Sequence, residues 1–325
     1  MRRRIAAAAA LIALSAGVSI THAQTNAPAP WPTKPVRLIV PFAAGGATDV
    51  LARQLAQKLE SMWGHQVLID NKAGAGTVIG TDAVAKAAPD GYTLGMVISA
   101  HVINPSLRPN LPYDTINDLV PVSQVGSQDM VIAANPSFPV NTVPELIAYA
   151  KANPGVQYAS PGSGTAMHLA MEMLKLGAGV ELVHVPYRGG APAQQDVMGG
   201  QLPLLVDVYY SASPQIKGGK LKAIALLSPK RAPSAPQIPL VAETYPNVST
   251  MSFAGVVAPK GTPPALVEKI SSDIAKAVKS SDFGLLLQQS GLEPVGSTPA
   301  QFGAFIKTEI AKWTPVVKAS GAKAD

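Results

Sequence analysis

Residues 41–49 run Pro41-Phe42-Ala43-Ala44-Gly45-Gly46-Ala47-Thr48-Asp49. The apolar residues before them (Val36, Leu38, Ile39, Val40) read as a buried strand, and Leu51, Leu55 and Leu59 after them share one helical face. A turn from strand end to helix start presents unpaired backbone N–H groups and the positive end of the helix dipole. Its glycines allow the backbone to come close to a ligand. The turn carries no Lys, Arg or His, so its chemistry is capture of an anion, in particular a carboxylate, through backbone donors.

Two further turns repeat the pattern. Ser160-Pro161-Gly162-Ser163-Gly164-Thr165 and Tyr187-Arg188-Gly189-Gly190-Ala191-Pro192 each follow an apolar strand and open a helix. Three glycine-rich turns of this kind exceed what connecting the elements requires. Asp49 is expected to accept hydrogen bonds from its own turn and hold it in shape. His168, three residues after Thr165, reads as a hydrogen-bonded scaffold residue. Arg188 is the candidate counter-ion for a second carboxylate. Tyr187, Tyr209 and Tyr210 are candidate wall residues.

Other chemistries fit less well. Ser163, His168 and Asp207 supply the residue types of a hydrolytic triad, but Ser163 lies outside a Gly-x-Ser-x-Gly elbow. Gly74-x-Gly76-x-x-x-Gly80 misses the dinucleotide fingerprint by one residue and lies well beyond the preceding strand. His65, His101, His168 and His184 lack paired metal-ligand spacing. No metal or cofactor is therefore expected.

The elements that must position the turns alternate. Strands are predicted at 36–40, 66–70, 92–99, 131–134, 157–159, 183–185, 204–208, 221–227 and 255–258. Helices are predicted at 50–62, 80–87, 142–152, 166–176, 191–198, 264–278, 283–289 and 299–317. Thr142 and the Ser297-Thr298-Pro299 run are helix starts. A Pro-rich stretch, 229–246, reads as a surface crossover. Such alternation predicts an α/β fold with largely parallel sheet. Two series and a C-terminal return predict two lobes with a cleft between them. The lobes are expected at 35–125 with 228–325 and at 126–227, hinged near 125–130 and 226–228.

The chain has 325 residues, 47% hydrophobic, enough for two domains. Met1-Arg2-Arg3-Arg4, an apolar Ala-rich stretch to Ile20 and the small residues around Ala23 predict a cleavable signal peptide at 1–23. A flexible tail follows at 24–34. Removing 1–23 takes away three arginines and no acid, which lowers the formal charge from +6 to +3. The scattered remainder gives no nucleic-acid footprint. The absence of cysteine excludes disulfides and thiol chemistry. An exported periplasmic protein fits these features.

Several blocks together resemble the substrate-binding proteins of tripartite tricarboxylate transporters, the Bug family of periplasmic receptors. These are Trp31-Pro32-x-Lys34-Pro35-Val36-Arg37-Leu38-Ile39-Val40-Pro41-Phe42 with Gly45-Gly46-x-x-Asp49, Asn71-Lys72-x-Gly74-Ala75-Gly76, and Ala88-Pro89-Asp90-Gly91-Tyr92-Thr93-Leu94. The second half adds Gly162-Ser163-Gly164-Thr165-x-x-His168-Leu169, Val185-Pro186-Tyr187-Arg188-Gly189-Gly190-x-Pro192-Ala193, Gly199-Gly200-Gln201 and Ala258-Pro259-x-Gly261-Thr262-Pro263. The resemblance implies a two-lobed, type II-like binding protein, with two mixed sheets flanked by helices, that closes on a small carboxylate without catalysis. It implies two clamp halves: Phe42, Ala43, Ala44, Gly45, Gly46 and Asp49 on one lobe, and Ser160, Gly162, Ser163, Gly164, Thr165 and His168 on the other. Gly190 and Ala191 lie toward the far end of the ligand, with Ser99, Asn104 and Asp207 as further contacts. A monomer serving two integral membrane transport proteins is implied. Ligand sensing by a membrane signalling protein is the alternative.

Overall fold

A computed structural model describes residues 31–322. The expected signal peptide and most of the expected tail lie outside the described residues. The first series is β1 (Val36–Val40), α1 (Ala47–Trp63), β2 (Val67–Asn71), α2 (Val78–Ala85), β3 (Thr93–Ile98), α3 (Ala100–Leu107) and β4 (Leu119–Gln128). The second is β5 (Met130–Ala134), α4 (Val143–Ala152), β6 (Val156–Ser160), α5 (Ala166–Ala178), β7 (Leu182–Pro186), α6 (Gly190–Met198), β8 (Leu204–Val208), α7 (Tyr209–Lys217) and β9 (Lys222–Leu226). The chain returns through β10 (Ser252–Pro259), α8 (Pro264–Val278), α9 (Phe283–Gln289), β11 (Leu292–Pro294) and α10 (Pro299–Ser320).

Two sheets result, ordered β11-β4-β10-β3-β1-β2 and β7-β6-β8-β5-β9. Both are mixed. β1 runs parallel to β2 and β3, whereas β10 runs antiparallel to β3 and β4. In the second sheet β6 is parallel to β7 and β8, and β5 is antiparallel to β8 and β9. The largely parallel sheet expected from alternation is thus corrected. β5 and β10 each enter their sheet directly from the other lobe, and neither has a helical crossover to set its direction. Strands β1, β3, β5, β8 and β10 supply the buried centre of each lobe.

Local chemistry explains the helix starts. Thr142 caps α4 by accepting from Glu145 N, with Pro144 in the first turn. Thr298 and Gln301 form a capping box on α10 at 3.2 and 2.9 Å. Trp63 at the end of α1 donates to Asp273 on α8 at 2.9 Å, which fastens the returning chain to the first lobe.

The stretch 229–246 crosses from one sheet to the other along the surface, as expected, and is anchored by a few buried residues. Ala232, Ala235, Ile238 and Val241 are buried, the first three against Val131, Tyr209 and Leu226. Leu226 donates its amide to Pro239 at 2.8 Å. The prolines there shape a strap over β9. Where the chain crosses between sheets, Ser228 donates to Asp129 at 2.6 Å, and Leu227 N donates to Met130 O at 2.8 Å, so the two crossings are tied side by side.

Candidate functional site

The three glycine-rich turns connect β1 to α1, β6 to α5 and β7 to α6. Each leaves the C-terminal end of a parallel strand, where α/β folds gather ligands. The three helices have 17, 13 and 9 residues, and their N-termini reach the cleft between the lobes.

A closed network of side chains holds the first turn. Asp49 is 2% exposed; its Oδ2 accepts from Gly45 N at 2.9 Å and from Arg53 Nε at 2.9 Å, and its Oδ1 accepts from Asn71 Nδ2 at 2.9 Å. Asn71 also donates to Phe42 O at 2.9 Å and accepts from Arg53 Nη2 at 3.3 Å. Burial alone would raise the Asp49 pKa, but the hydrogen bonds from Arg53, Gly45 and Asn71 outweigh it and hold the carboxylate ionised below its ordinary value. All of these contacts stay on the turn's own side. With Asp49 so occupied, Phe42–Gly46 keeps its shape with no side-chain cap on α1.

The second turn is braced by hydroxyls and imidazoles. Ser160 Oγ accepts from Gly162 N at 3.1 Å and lies 2.6 Å from His184 Nε2. Thr165 donates to Gly162 O at 2.8 Å and caps α5 by accepting from His168 N. His168 Nδ1 accepts from Gly164 N at 3.2 Å, so the structure turns this imidazole onto its own turn. In the third turn Gly190 lies against the Asp207 carboxylate, leaving no room for a Cβ.

The lobes touch through these turns. Ala43 N donates to Arg188 O at 3.1 Å, a backbone bond between first and third turns. A Cβ on Gly46 would sit 3.4 Å from Gly190 N and 3.5 Å from Ala191 N. The second turn meets a different part of the first lobe, the tight turn at Ala75–Thr77 and the end of α3. There a Cβ on Gly76 (φ 57) would fall 2.6 Å from Ser163 O and 2.8 Å from Arg108 Nη2. A glycine is required at that close approach. The first turn's direct partner is therefore the third turn, and the expected opposition of first and second turns is across a shared cavity.

That cavity is lined by Phe42, Gly46, Ala47 and Thr48 from one side and by Pro161, Met167, Gly190 and Asp207 from the other, together with Ile98, Gln128 and Val208. Its volume is about 10 Å³, which holds roughly one water. No cationic side chain lines it. An outer groove of about 330 Å³ runs between Pro41–Phe42, Gly74–Thr77, Pro161–Ser163 and Pro186–Arg188.

The remaining expected residues divide. Asp207 lines the cavity, 1% exposed; burial pushes its pKa up to about 6 against the lowering effect of its donors Gln194 Nε2 (2.8 Å), Val208 N (2.8 Å) and Ser211 Oγ (3.2 Å). Its partners include no imidazole, so Ser163, His168 and Asp207 do not form a relay. Ser99 is fully buried, 3.1 Å from Ser252 Oγ, and accepts from Phe253 N, so it joins β3 to β10. Asn104 is fully buried and donates to Gly76 O at 3.0 Å, supporting the turn that receives Ser163. Arg188 stands at the rim of the outer groove and contributes its carbonyl to the lobe contact.

Sequence reasoning gave no role to Asn71, Arg53, His184 or Gln194. Asn71 ends β2, and its contact with Asp49 in the first turn of α1 joins elements that sequence spacing does not relate. His184 falls on a short apolar strand, with no local signal that Ser160 is opposite.

Two α/β lobes meeting at a cleft fed by three helix N-termini define a periplasmic binding protein. The sequence profile described as tripartite tricarboxylate transporter family receptor matches residues 51–322. The chain is 39% identical over 314 residues to Protein BugT of Bordetella pertussis, covering 94% of this chain and 96% of that one. Its structure superposes on periplasmic binding protein BugD with a TM-score of 0.87 at 35% identity, covering 91% and 100% of the two chains. An R. palustris protein solved with adipate gives 0.87 at 33% identity, covering 90% and 99%. MatC from Rhodopseudomonas palustris with bound malate gives 0.84 at 29% identity, covering 88% and 100%. The chain belongs to the tripartite tricarboxylate transporter receptor family. Its receptors are periplasmic, bind small carboxylates and serve membrane transporters.

Proposed function

We propose that this chain is a non-catalytic extracytoplasmic receptor that captures a small carboxylate between its lobes and delivers it to membrane transport proteins. The ligand class is a di- or tricarboxylate, an aromatic acid or an amino acid. The observation that carries the reading is the convergence of three backbone turns, each at a helix N-terminus, on a cavity without a cationic side chain. Helix dipoles there favour an anion and need no salt bridge. The bound adipate and malate in related structures support the same class.

The cavity holds roughly one water, so a carboxylate enters only as the lobes part. The hinge is placed at the paired crossings around Asp129 and Ser228. Phe42–Gly46 and Ser160–Thr165 would then grip one carboxylate, partly through water, with Gly190 and Ala191 near the ligand's other end. The working unit is a monomer exported by a signal peptide at 1–23 and served by a large and a small membrane protein.

A thermal-shift screen against malate, adipate, citrate, benzoate, aspartate and glutamate, on protein first unfolded and refolded to remove carried ligand, tests this reading. At 100 times Kd a ligand adds about 2.7 kcal/mol, a rise of several degrees for a chain this size. A rise with at least one acid is expected. No rise with any of them, or turnover of one, would count against the receptor.

A further inference from the structure

Two histidines lie under the second turn, and their geometry constrains their protons. His168 (α5) and His184 (β7) stack with ring centroids 4.0 Å apart and planes 10° apart. Tyr158 (β6) stacks on His184 at 5.0 Å. Both imidazoles reach the turn: His168 Nδ1 takes the Gly164 N–H at 3.2 Å, and His184 Nε2 meets Ser160 Oγ at 2.6 Å. An acceptor at Nδ1 cannot carry a proton there, so neutral His168 keeps its proton on Nε2. Ser160 already accepts from Gly162 N, so its own hydrogen is available to His184 Nε2.

We propose that the stacked His168–His184 pair is the positioning device of the Ser160–Thr165 turn, and that it holds the turn only while His168 is neutral. A proton added at His168 Nδ1 sets a donor against the Gly164 N–H. The amide loses its acceptor, and the turn that bears Gly162, Ser163 and Gly164 is released from α5. His184 tolerates the change, because Ser160 Oγ can accept from either side and donate to Gly162 O, 3.3 Å away. The pair takes one proton only, since a second would place two cations 4.0 Å apart in a largely buried stack. His184 is itself held neutral, pushed down to about 3 by burial and then by His168 and Lys175.

Groups facing the pair include Tyr158 and Ser160 from β6, and Glu172 and Lys175 from α5. Glu172 Oε1 lies 3.8 Å from His168 Nε2, too far for a hydrogen bond. That carboxylate is already met by Lys175 Nζ at 2.9–3.0 Å and by Tyr158 OH at 3.1 Å. Glu172 thus shares its charge among Lys175, Tyr158 and any proton on His168, while a proton at His168 Nδ1 costs the Gly164 amide its acceptor. The consequence is a receptor whose ligand grip weakens in acid through one lobe only.

This inference rests on the proposed carboxylate site, and the test separates the two. Calorimetric Kd values for malate and adipate between pH 7.5 and 5 are compared in the wild type and in His168→Asn, whose Oδ1 can accept from Gly164 N and does not titrate. Ligand and Asp207 titration act on both proteins and cancel in their ratio. Wild-type affinity is expected to fall at least tenfold further than that of the variant. Equal pH profiles would overturn the proposal. Imidazole nitrogen NMR of the wild type reads the brace without ligand or variant: a bare Nδ1 on His168 at pH 7.5 and a Gly164 amide shift that moves as that ring protonates are expected. A protonated Nδ1 at pH 7.5, or a Gly164 amide indifferent to the titration, would overturn it even if neither acid binds. Failure of both acids to bind, with the NMR as expected, would remove the receptor reading and leave the brace.

Discussion

Asp49 illustrates how residue chemistry and site chemistry differ. A carboxylate beside an anion site should repel the ligand, yet Gly45, Arg53 and Asn71 occupy its oxygens and its charge is spent within the turn. Replacing Asp49 by Ala leaves Gly45 N–H and Asn71 without that acceptor. Charge-assisted bonds of this kind contribute about 1.5–3 kcal/mol, so Asp49→Ala is expected to lose about 2 kcal/mol of stability in urea melts and to weaken ligand binding as well. Unchanged stability would show that the network is incidental. The bracing role of Asp49 was legible in the sequence because it is a contact within its own turn. The parts played by Asn71 and His184 were not, because they come from neighbouring strands whose register only the folded sheet sets.

Elements with clean periodicity were legible to the residue. The predicted bounds of β1, β8, α8 and α9 coincide with those observed. Helices α3 and α7 were missed, and each carries an internal proline, Pro105 and Pro214. Proline reads as a breaker, but packing against neighbouring elements overrides that preference. Asn104, a candidate contact from the sequence, and Leu107, which was not, stand at the end of α3 against Gly164 of the second turn. The turn at Ala75–Thr77 is the other half of that contact. Gly76→Ala adds a methyl where Ser163 O stands 2.6 Å away, at a φ of 57. The variant is expected to fold but to hold the lobes apart, with a larger radius of gyration in X-ray scattering and at least tenfold weaker binding. Scattering identical to the wild type's in saturating ligand, with equal affinity, would contradict this role.

At the scale of the whole molecule, two lobes follow from the two alternating series, whereas the strand order and the pairing of turns across the cleft do not. The pairing depends on how the lobes rest on each other, which no local pattern encodes. The buried titratable groups also act at this scale. His101 is held neutral, its pKa pushed down to about 4 by burial, and His184 follows at about 3. A histidine with a depressed folded pKa leaves stability intact above pH 6.5 and erodes it as pH falls toward the folded value. At pH 5 His101 alone costs about 2 kcal/mol. Asp207, raised from 3.8 to about 6, works the other way between those values, but the two histidine displacements are larger. The melting temperature is therefore expected to fall by several degrees from pH 7 to pH 5, and less steeply in His101→Leu. A rise on acidification would reverse the assignment. The central claim, that a carboxylate is taken by backbone at the meeting of the lobes, is tested most directly by titration calorimetry of refolded wild type and Gly46→Val with the carboxylate panel. The valine's Cβ would stand 3.4 Å from Gly190 N, and its branches would reach into the third turn and the cavity. Saturable binding of at least one acid by the wild type, lost in a Gly46→Val protein of unchanged circular dichroism, is the expected result; equal binding by both proteins would contradict it.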